Sequence, residues 1–496
     1  MLPLYPLPPK RKAASTINLD FSPDQVGAWL TKLPLADAAD AAEKLIRFLT
    51  AFNRIELPSS HRRALLGLLS TSARHTAERL AAQQAGAPLP LPPARHRQLQ
   101  LGQTLLGELA NTHKLHILDS LQQGQKTEAA ASLSMLMDIA DGIMLAAFRS
   151  HTALPAGLWL DLHQSHVCAS ELQAADSDRA RPGIADRYKA AMLLAVADPY
   201  QFTDQELDWA RSLALGAGAA CRLLAANPTG PALAPFHIQT THDAPPQPLS
   251  RHQAEATGDL LFDTTPVARH LAQLGNAIKT GRTRDGLDLP PESDWPAYAT
   301  LINKLKLRWG ASKQRLIQRR RPLKETPYEI TLGLDGLRIL VETAAPSDAR
   351  RTALCLPIND SAGGLALRHS GTFGMAIEVG EIVGIKQAGE KHWHIGLIRW
   401  FKQTATEELL FGVQLIGNRL EAIEPRRADG DSLGPGLLLH GASGKQADAV
   451  VLPVGAGRIG ESVKIPGTAG EQAAQLGQRT EGNHAWEIFR VQYSAE

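Results

Sequence analysis

Two short polar motifs in the second half of the chain combine residue types that bind anions. Arg315 and Arg319 are four positions apart, and Arg320 and Arg321 follow directly. A guanidinium pairs bidentately with phosphate, keeps its charge and stacks on purine faces. On a continuous helix, positions i and i+4 lie on one face, so both side chains could reach one ligand. A solvated basic turn at a helix C-terminus, favoured by the helix dipole, is the alternative explanation.

The second motif, Asn359-x-Ser361-x-x-Gly364, lies further along the chain between two apolar segments. Asparagine and serine side chains are short hydrogen-bonding groups that suit a base edge or the local backbone. Gly363 and Gly364 would allow a close backbone approach. The same residues are also common in an ordinary β-turn. Taken together, the two motifs predict an anion site where a helical part of the chain gives way to strands.

The spacing of apolar residues before the arginine run predicts helices. Residues 1–20 are expected to be a disordered N-terminus, and residues 21–226 an α-helical domain that includes a capping sequence at Thr203 to Glu206. The proline-rich residues 227–256 are expected to be a linker. Residues 257–321 are expected to be a helical connector that ends in the arginine run. The sequence therefore predicts an all-α first half.

After Pro322 the apolar period changes to two, which predicts short strands. Residues 322–425 are expected to form an antiparallel barrel or sandwich. Alternation within 327–342 predicts a hairpin that precedes the Asn359 motif. Residues 426–496 are expected to form an appended β-module. The predicted fold class is therefore multidomain α+β.

The composition excludes several classes of protein. The chain has 496 residues, a formal net charge of +2 and 44% hydrophobic residues, so it can form cores and has no bulk charge for binding nucleic acid or membrane surfaces. Three widely spaced cysteines suit a reducing compartment. No signal peptide and no membrane-spanning apolar run is apparent. We expect a cytoplasmic protein without membrane insertion.

No catalytic constellation is present in the sequence, since it lacks GxSxG, HExxH and Walker motifs. Gly455-x-Gly457-x-x-Gly460 is followed by a strand-like segment, which predicts a glycine-rich hairpin and not a dinucleotide-binding helix. His163, His166 and Cys168 are too few for a metal site, and a structural role is favoured. The chain is therefore predicted not to be an enzyme and to need no metal or cofactor.

The two motifs, in this order and followed by a small β-domain, resemble the PilZ domain. That family is a six-stranded antiparallel β-barrel that binds the bacterial second messenger cyclic di-GMP through RxxxR ahead of the barrel and [D/N]xSxxG at a strand end. Residues 393–400 and 411–415 are also similar to the family's paired strands. The resemblance implies that the arginines clamp phosphates and guanines and that the second motif contacts the other side of the ligand. The predicted ligand-binding residues are Arg315, Arg319, Arg320, Asn359, Ser361 and Gly364.

The resemblance extends to bacterial proteins in which a long helical region precedes a PilZ-like barrel. We therefore expect a cyclic di-GMP receptor that passes ligand binding to a helical region contacting a protein partner. Two alternatives stay open: an interaction scaffold whose barrel no longer binds nucleotide, and, as the less expected case, a nucleic-acid binder that uses the arginine run.

Overall fold

The computed structural model describes residues 8, 12–13, 22–172, 183–225, 235–249, 259–280, 289–310, 326–343, 352–361, 363–390, 393–417, 419–440, 448–467 and 470–494. The chain forms two units. The first comprises Met1–Ala87 and Leu91–Gln314, and the second comprises Pro88–Pro90 and Arg315–Glu496.

The first unit is built from helices whose starts follow the sequence. Ser22 accepts a hydrogen bond from the Gln25 amide, and Thr203 and Glu206 form the predicted reciprocal capping box. Within the described residues the helices are α1 (Pro23–Leu30), α2 (Ala38–Asn53), α3 (Ser59–Ala82), α4 (Pro93–Gln122), α5 (Lys126–Arg149), α6 (Leu158–Leu172), α7 (Ile184–Val196), α8 (Asp204–Ala217), α9 (Thr265–Thr280) and α10 (Trp295–Gly310).

One continuous apolar core joins these helices, from Val26 in α1 to Trp309 in α10. In the described part of the chain, α5 is the one helix long and apolar enough to cross a bilayer, and 56% of its most apolar window is buried in the unit. Its buried residues, among them Leu133 and Ile143, belong to this shared core. Its hydropathy is therefore explained by packing within the helical unit.

Short strands are also present in the first unit. They are β1 (Lys12–Ala13), β2 (Ile55–Glu56), β3 (Arg222–Ala225), β4 (Phe236–Ile238), β5 (Gln247–Pro248) and β6 (Leu260–Asp263). The strands β3, β6, β4 and β5 form a four-stranded sheet in that order. The described part of the expected linker, 235–249, thus contains two strands, β4 and β5, which pair with each other. β4 also pairs with β6, and this pairing aligns buried residues of the two strands.

The second unit begins with the predicted barrel. Six antiparallel strands close in the order β10-β11-β12-β9-β8-β7. Their interior is filled by apolar side chains from all six, including Ile330, Leu367 and Phe411. The strands are β7 (Tyr328–Leu332), β8 (Ala353–Ser361), β9 (Gly364–His369), β10 (Ile382–Gln387), β11 (His394–Gln403) and β12 (Leu409–Gly417). The predicted multidomain α+β fold, with its six-stranded barrel, is confirmed.

The predicted hairpin over 327–342 is wrong in its second half. A helix, α11 (Gly333–Thr343), follows β7. Leu337 and Leu340 are three positions apart and both are buried, so the same apolar residues satisfy a helical period. The helix lies close against the barrel, because a Cβ on Gly384 of β10 would lie 2.6 Å from the Leu337 side chain.

The C-terminal module is a seven-stranded sheet in the order β13-β15-β16-β19-β18-β17-β14. Residues from the barrel, α11 and this sheet share a core that contains Leu337, Leu397 and Trp486. The module is therefore packed against the barrel. Its strands are β13 (Leu420–Ile423), β14 (Arg426–Arg427), β15 (Gly436–Leu439), β16 (Ala449–Pro453), β17 (Ser462–Gly467), β18 (Gly470–Gly482) and β19 (Trp486–Tyr493).

Two sequence expectations differ from this sheet. Leu420–Ile423 pairs with β15, so it lies with the C-terminal sheet although it was expected within 322–425. The glycine-rich segment 455–460 leads into a strand, as expected, but not into a hairpin. The strand before it, β16, pairs with β15 and β19, whereas β17 pairs with β14 and β18.

Candidate functional site

The Asn359 motif forms the end of the β8–β9 hairpin. Ser361 and Gly364 are the last paired residues, and the Ser361 hydroxyl donates to the Gly364 carbonyl oxygen at 3.1 Å. The Gly363 carbonyl accepts from the Leu415 amide of β12 at 3.0 Å. The turn is therefore fixed on both sides, and the Ser361 oxygen keeps its lone pairs for a ligand donor.

The close approach of β9 to β12 requires glycine at position 364. A Cβ on Gly364 would lie 2.2 Å from the Val413 carbonyl oxygen, whereas a Cβ on Gly363 meets nothing within 4 Å. The glycine of the motif thus has a packing reason that its neighbour lacks. This reason holds whether or not a ligand contacts the turn.

A β-bulge places Asn359 on the outside of the barrel. The register between β8 and β9 shifts between Pro357 and Asn359, which leaves Ile358 as the extra residue. Asn359 then pairs with Ala366, which faces away from the barrel interior because its neighbour Leu367 belongs to the interior core. Without the extra residue, strict alternation would direct Asn359 inward.

Asn359 lies at one end of a row of residues that crosses four strands on the outer face. It pairs with Ala366, Ala366 with Gly412, and Gly412 with Trp400. The Trp400 indole lies over Gly412, since a Cβ there would be 1.9 Å from the indole Nε1. Trp400 is only half-buried. The two small residues in the middle of the row, Ala366 and Gly412, are buried. The row therefore offers an amide at one end and, at the other, an aromatic ring on which a base could stack.

The next row towards the turn adds two polar side chains. Gly364 pairs with Gln414, whose side-chain oxygen accepts from Arg399 Nε at 2.7 Å. Arg399 is the extra residue of a second bulge, between Ile398 and Trp400. Its terminal nitrogens also bind Glu481 of β18 at 2.6 and 3.2 Å. A cation from the barrel is thus held at the border of this face by the C-terminal sheet.

The predicted site is therefore assembled only in part. Asn359, Ser361 and Gly364 lie together at the β8–β9 turn, on the outer face of the barrel. The other predicted residues, Arg315, Arg319 and Arg320, lie outside the described residues, and so does Arg321. They precede β7 in sequence, and β7 is the strand that pairs with β8.

The residues that sequence reasoning missed are Arg399, Trp400 and Gln414. The sequence of 393–400 predicts a strand, and no local pattern in it indicates a bulge. The pairing register was needed to show that Trp400 and Gln414 share a face with Asn359 and Gly364. The signal that the sequence offered for these residues was Arg399 directly followed by Trp400, a cation next to an aromatic ring.

The three cysteine thiols, which would be the most reactive nucleophiles, are all free and buried. Burial raises the pKa of the Cys168 thiol to about 11 and those of Cys221 and Cys355 to about 12. Such thiols carry almost no thiolate at neutral pH. Among the described residues no group of three or more His, Cys, Asp or Glu side chains could hold a metal ion. His163 bonds instead to the Tyr188 hydroxyl and the Ala244 carbonyl.

A closed six-stranded antiparallel barrel with an [N]xSxxG turn at the end of one strand has the architecture of a PilZ domain. Comparison with known families agrees with this class. Residues 341–421 match the family described as cyclic-di-GMP receptor FimW, middle PilZ domain. Residues 24–228 match the family described as cyclic-di-GMP receptor FimW, N-terminal domain. The chain therefore resembles PilZ-domain cyclic-di-GMP receptors in both its helical region and its barrel.

Among curated sequences, the chain is similar to the cyclic-di-GMP receptor FimW of Pseudomonas aeruginosa. The two are 26% identical over 155 residues. This alignment covers 31% of the present chain and 26% of FimW, so the match spans about a quarter of the relative's length.

Proposed function

We propose that this protein is a bacterial cyclic di-GMP receptor that binds the second messenger on the outer face of its PilZ-like barrel. The ligand would contact Asn359, Ser361 and Gly364, with Arg315 and Arg319 holding its phosphates and guanines. Arg320 would assist them. The matches to both FimW domains support this proposal.

The observation that carries the proposal is the row Asn359–Ala366–Gly412–Trp400 beside the Ser361–Gly364 turn. The row and the turn together provide three groups that can bind a guanine. These are an amide for the base edge, a hydroxyl oxygen that can accept a hydrogen bond from a ring N–H, and an aromatic ring for stacking. Ala366 and Gly412 are small, buried residues that lie between Asn359 and Trp400 in this row. Arginines, which pair with phosphate bidentately, would supply the positive charge that a dianionic ligand requires.

The effector role is proposed for the helical unit. The division of the chain falls directly before Arg315, so the arginine motif stands in sequence where the first unit ends. A ligand that binds these arginines together with the barrel would bias the chain between two states through its different contacts in each. The helical unit would then present a surface to a protein partner. The protein acts by binding in the cytoplasm and not by catalysis.

Calorimetric titration of the full chain with cyclic di-GMP tests the proposal, beside cyclic di-AMP and the variant Asn359→Ala. We expect the wild type to bind cyclic di-GMP and to discriminate against cyclic di-AMP. We expect Asn359→Ala to bind several-fold more weakly, because a hydrogen bond to the base is lost. The exposed Asn276 of α9 provides the matched control, Asn276→Ala. Absence of wild-type binding would instead favour the scaffold without nucleotide.

A further inference from the structure

We propose that Arg399 is an additional phosphate-binding residue of this site and that Glu481, from the C-terminal sheet, is its positioning residue. This inference rests on the proposed function and deepens it. It assigns the C-terminal sheet a part in ligand binding, although 426–496 lies outside both matched segments.

The position of Arg399 follows from the backbone. As the bulged residue of β11, it does not take part in the regular alternation that sends Leu397 towards the C-terminal sheet and Ile398 into the barrel. Its immediate neighbour Trp400 belongs to the outer row of the candidate site. Its hydrogen-bond partner Gln414 is paired with Gly364 of the binding motif. Arg399 is thus adjacent to both rows that the ligand would cover.

The Arg399 guanidinium can donate further hydrogen bonds to a ligand. Of its five N–H groups, one donates to Gln414 and two donate to Glu481. The remaining two are available, and the side chain is 34% exposed. A phosphate oxygen can therefore be bound without breaking the pair with Glu481. A long side chain already held in place loses less rotamer freedom when the ligand arrives.

Charge complementarity indicates a phosphate as the group that Arg399 binds. The motif side chains Asn359 and Ser361 are neutral, and so are Gln414 and Trp400 next to them. A cyclic dinucleotide carries two phosphodiester charges. Arg399 is a described cation that contacts this set through its hydrogen bond to Gln414, and a charge-assisted bond to phosphate is stronger than a bond between neutral groups.

Glu481 affects the binding of the ligand in two opposite ways. Its carboxylate repels an anionic ligand, but it also fixes the guanidinium that binds it. The second part exists only while Arg399 is present. Comparing the effect of Glu481→Gln with and without Arg399 therefore isolates positioning from repulsion.

The experiment is calorimetric titration of the full chain with cyclic di-GMP at two NaCl concentrations. The proteins are the wild type, Arg399→Gln, Arg399→Lys, Glu481→Gln and the double variant Arg399→Gln/Glu481→Gln. The control is Arg419→Gln, an exposed arginine paired with Glu421 on the C-terminal sheet. Thermal unfolding of each variant verifies that it is folded.

We expect Arg399→Gln to weaken binding about tenfold. The dissociation constant should also depend less on salt, because a screened charge contact is lost. Arg399→Lys should keep part of the affinity and part of the salt dependence, since lysine keeps the positive charge. Glu481→Gln should weaken binding a few-fold in the presence of Arg399 and not in its absence.

Unchanged affinity in Arg399→Gln, or weaker binding with an unchanged salt dependence, would overturn the assignment of Arg399 while leaving the receptor function in place. An equal effect of Glu481→Gln in both backgrounds would overturn its positioning role. If the wild type itself does not bind cyclic di-GMP, the proposed function fails and this inference fails with it.

Discussion

The indole of Trp400 lies directly over the backbone of Gly412 on the neighbouring strand. A Cβ at position 412 would be only 1.9 Å from the indole Nε1, so no other residue fits there without moving the ring. This contact holds the indole close against the sheet, where Trp400 remains half-buried. The aromatic part of the proposed site is therefore set by a glycine that lies in no recognised binding motif.

Replacing Trp400 should weaken the binding of cyclic di-GMP. Base–aromatic stacking contributes about 1–3 kcal/mol per base, so we expect Trp400→Ala to raise the dissociation constant by roughly tenfold. Titration calorimetry measures it. The matched control is Trp393→Ala, because the Trp393 ring lies 4.9 Å from the Lys386 ammonium on β10 and not over Gly412. A change below twofold in Trp400→Ala would exclude stacking on this ring.

Gly364 and Gly363 provide a matched pair of substitutions in one turn. Gly364→Ala would place a methyl group 2.2 Å from the Val413 carbonyl oxygen, and we expect it to destabilise the barrel by about 1–3 kcal/mol. Gly363→Ala meets no atom within 4 Å and should be nearly neutral. Denaturant unfolding followed by tryptophan fluorescence compares the two. Equal stability of the two variants would contradict the close approach of β9 to β12.

The helical unit should lose stability in mild acid through a buried histidine. His113 lies between the Ser70 and Ser132 hydroxyls, 3.3 Å from each, and burial lowers its pKa to about 3. Below the ordinary value of 6.5 the unfolded chain binds a proton that the folded chain does not. The stabilisation is therefore complete above pH 6.5 and is lost as the pH falls towards 3.

At pH 5 this histidine alone should cost about 2 kcal/mol relative to pH 7.5. We expect His113→Gln to be less sensitive to acid by about that amount, although it is less stable at neutral pH. Urea unfolding followed by the helical circular dichroism signal at both pH values measures the difference. The exposed His75 of α3 supplies the control, His75→Gln. Identical acid sensitivity in the two variants would show that His113 is not the group responsible.

The sequence predicted what depends on local chemistry. The capping box at Thr203, the strands of the barrel and the position of the Asn359 turn all follow from residue types at fixed spacing. The sequence prediction failed for α11, because its short run of apolar residues fits both the period of a strand and the period of a helix. There the contact of Leu337 with Gly384 and with the shared core decides in favour of a helix.

The parts of the candidate site that could not be predicted depend on pairing between distant strands. The extra residues Ile358 and Arg399 change which face the following side chains occupy, and nothing in the local sequence marks them as bulges. The contact of Arg399 with Glu481 joins residues 82 positions apart. Such relationships are set by the registers of β8, β11 and β18, which only the folded barrel and sheet define.

The most direct test of the central claim is calorimetric titration of the full chain with cyclic di-GMP, beside the double variant Arg315→Ala/Arg319→Ala. The control is the double variant Arg54→Ala/Arg97→Ala, which removes two arginines of the helical unit. We predict that the wild type and the control bind equally and that the variant of the RxxxR motif loses binding about a hundredfold or more, because two phosphate-binding guanidiniums are removed. Binding of cyclic di-GMP that survives unchanged in this variant would contradict the assigned site, and no binding by the wild type would contradict the receptor itself.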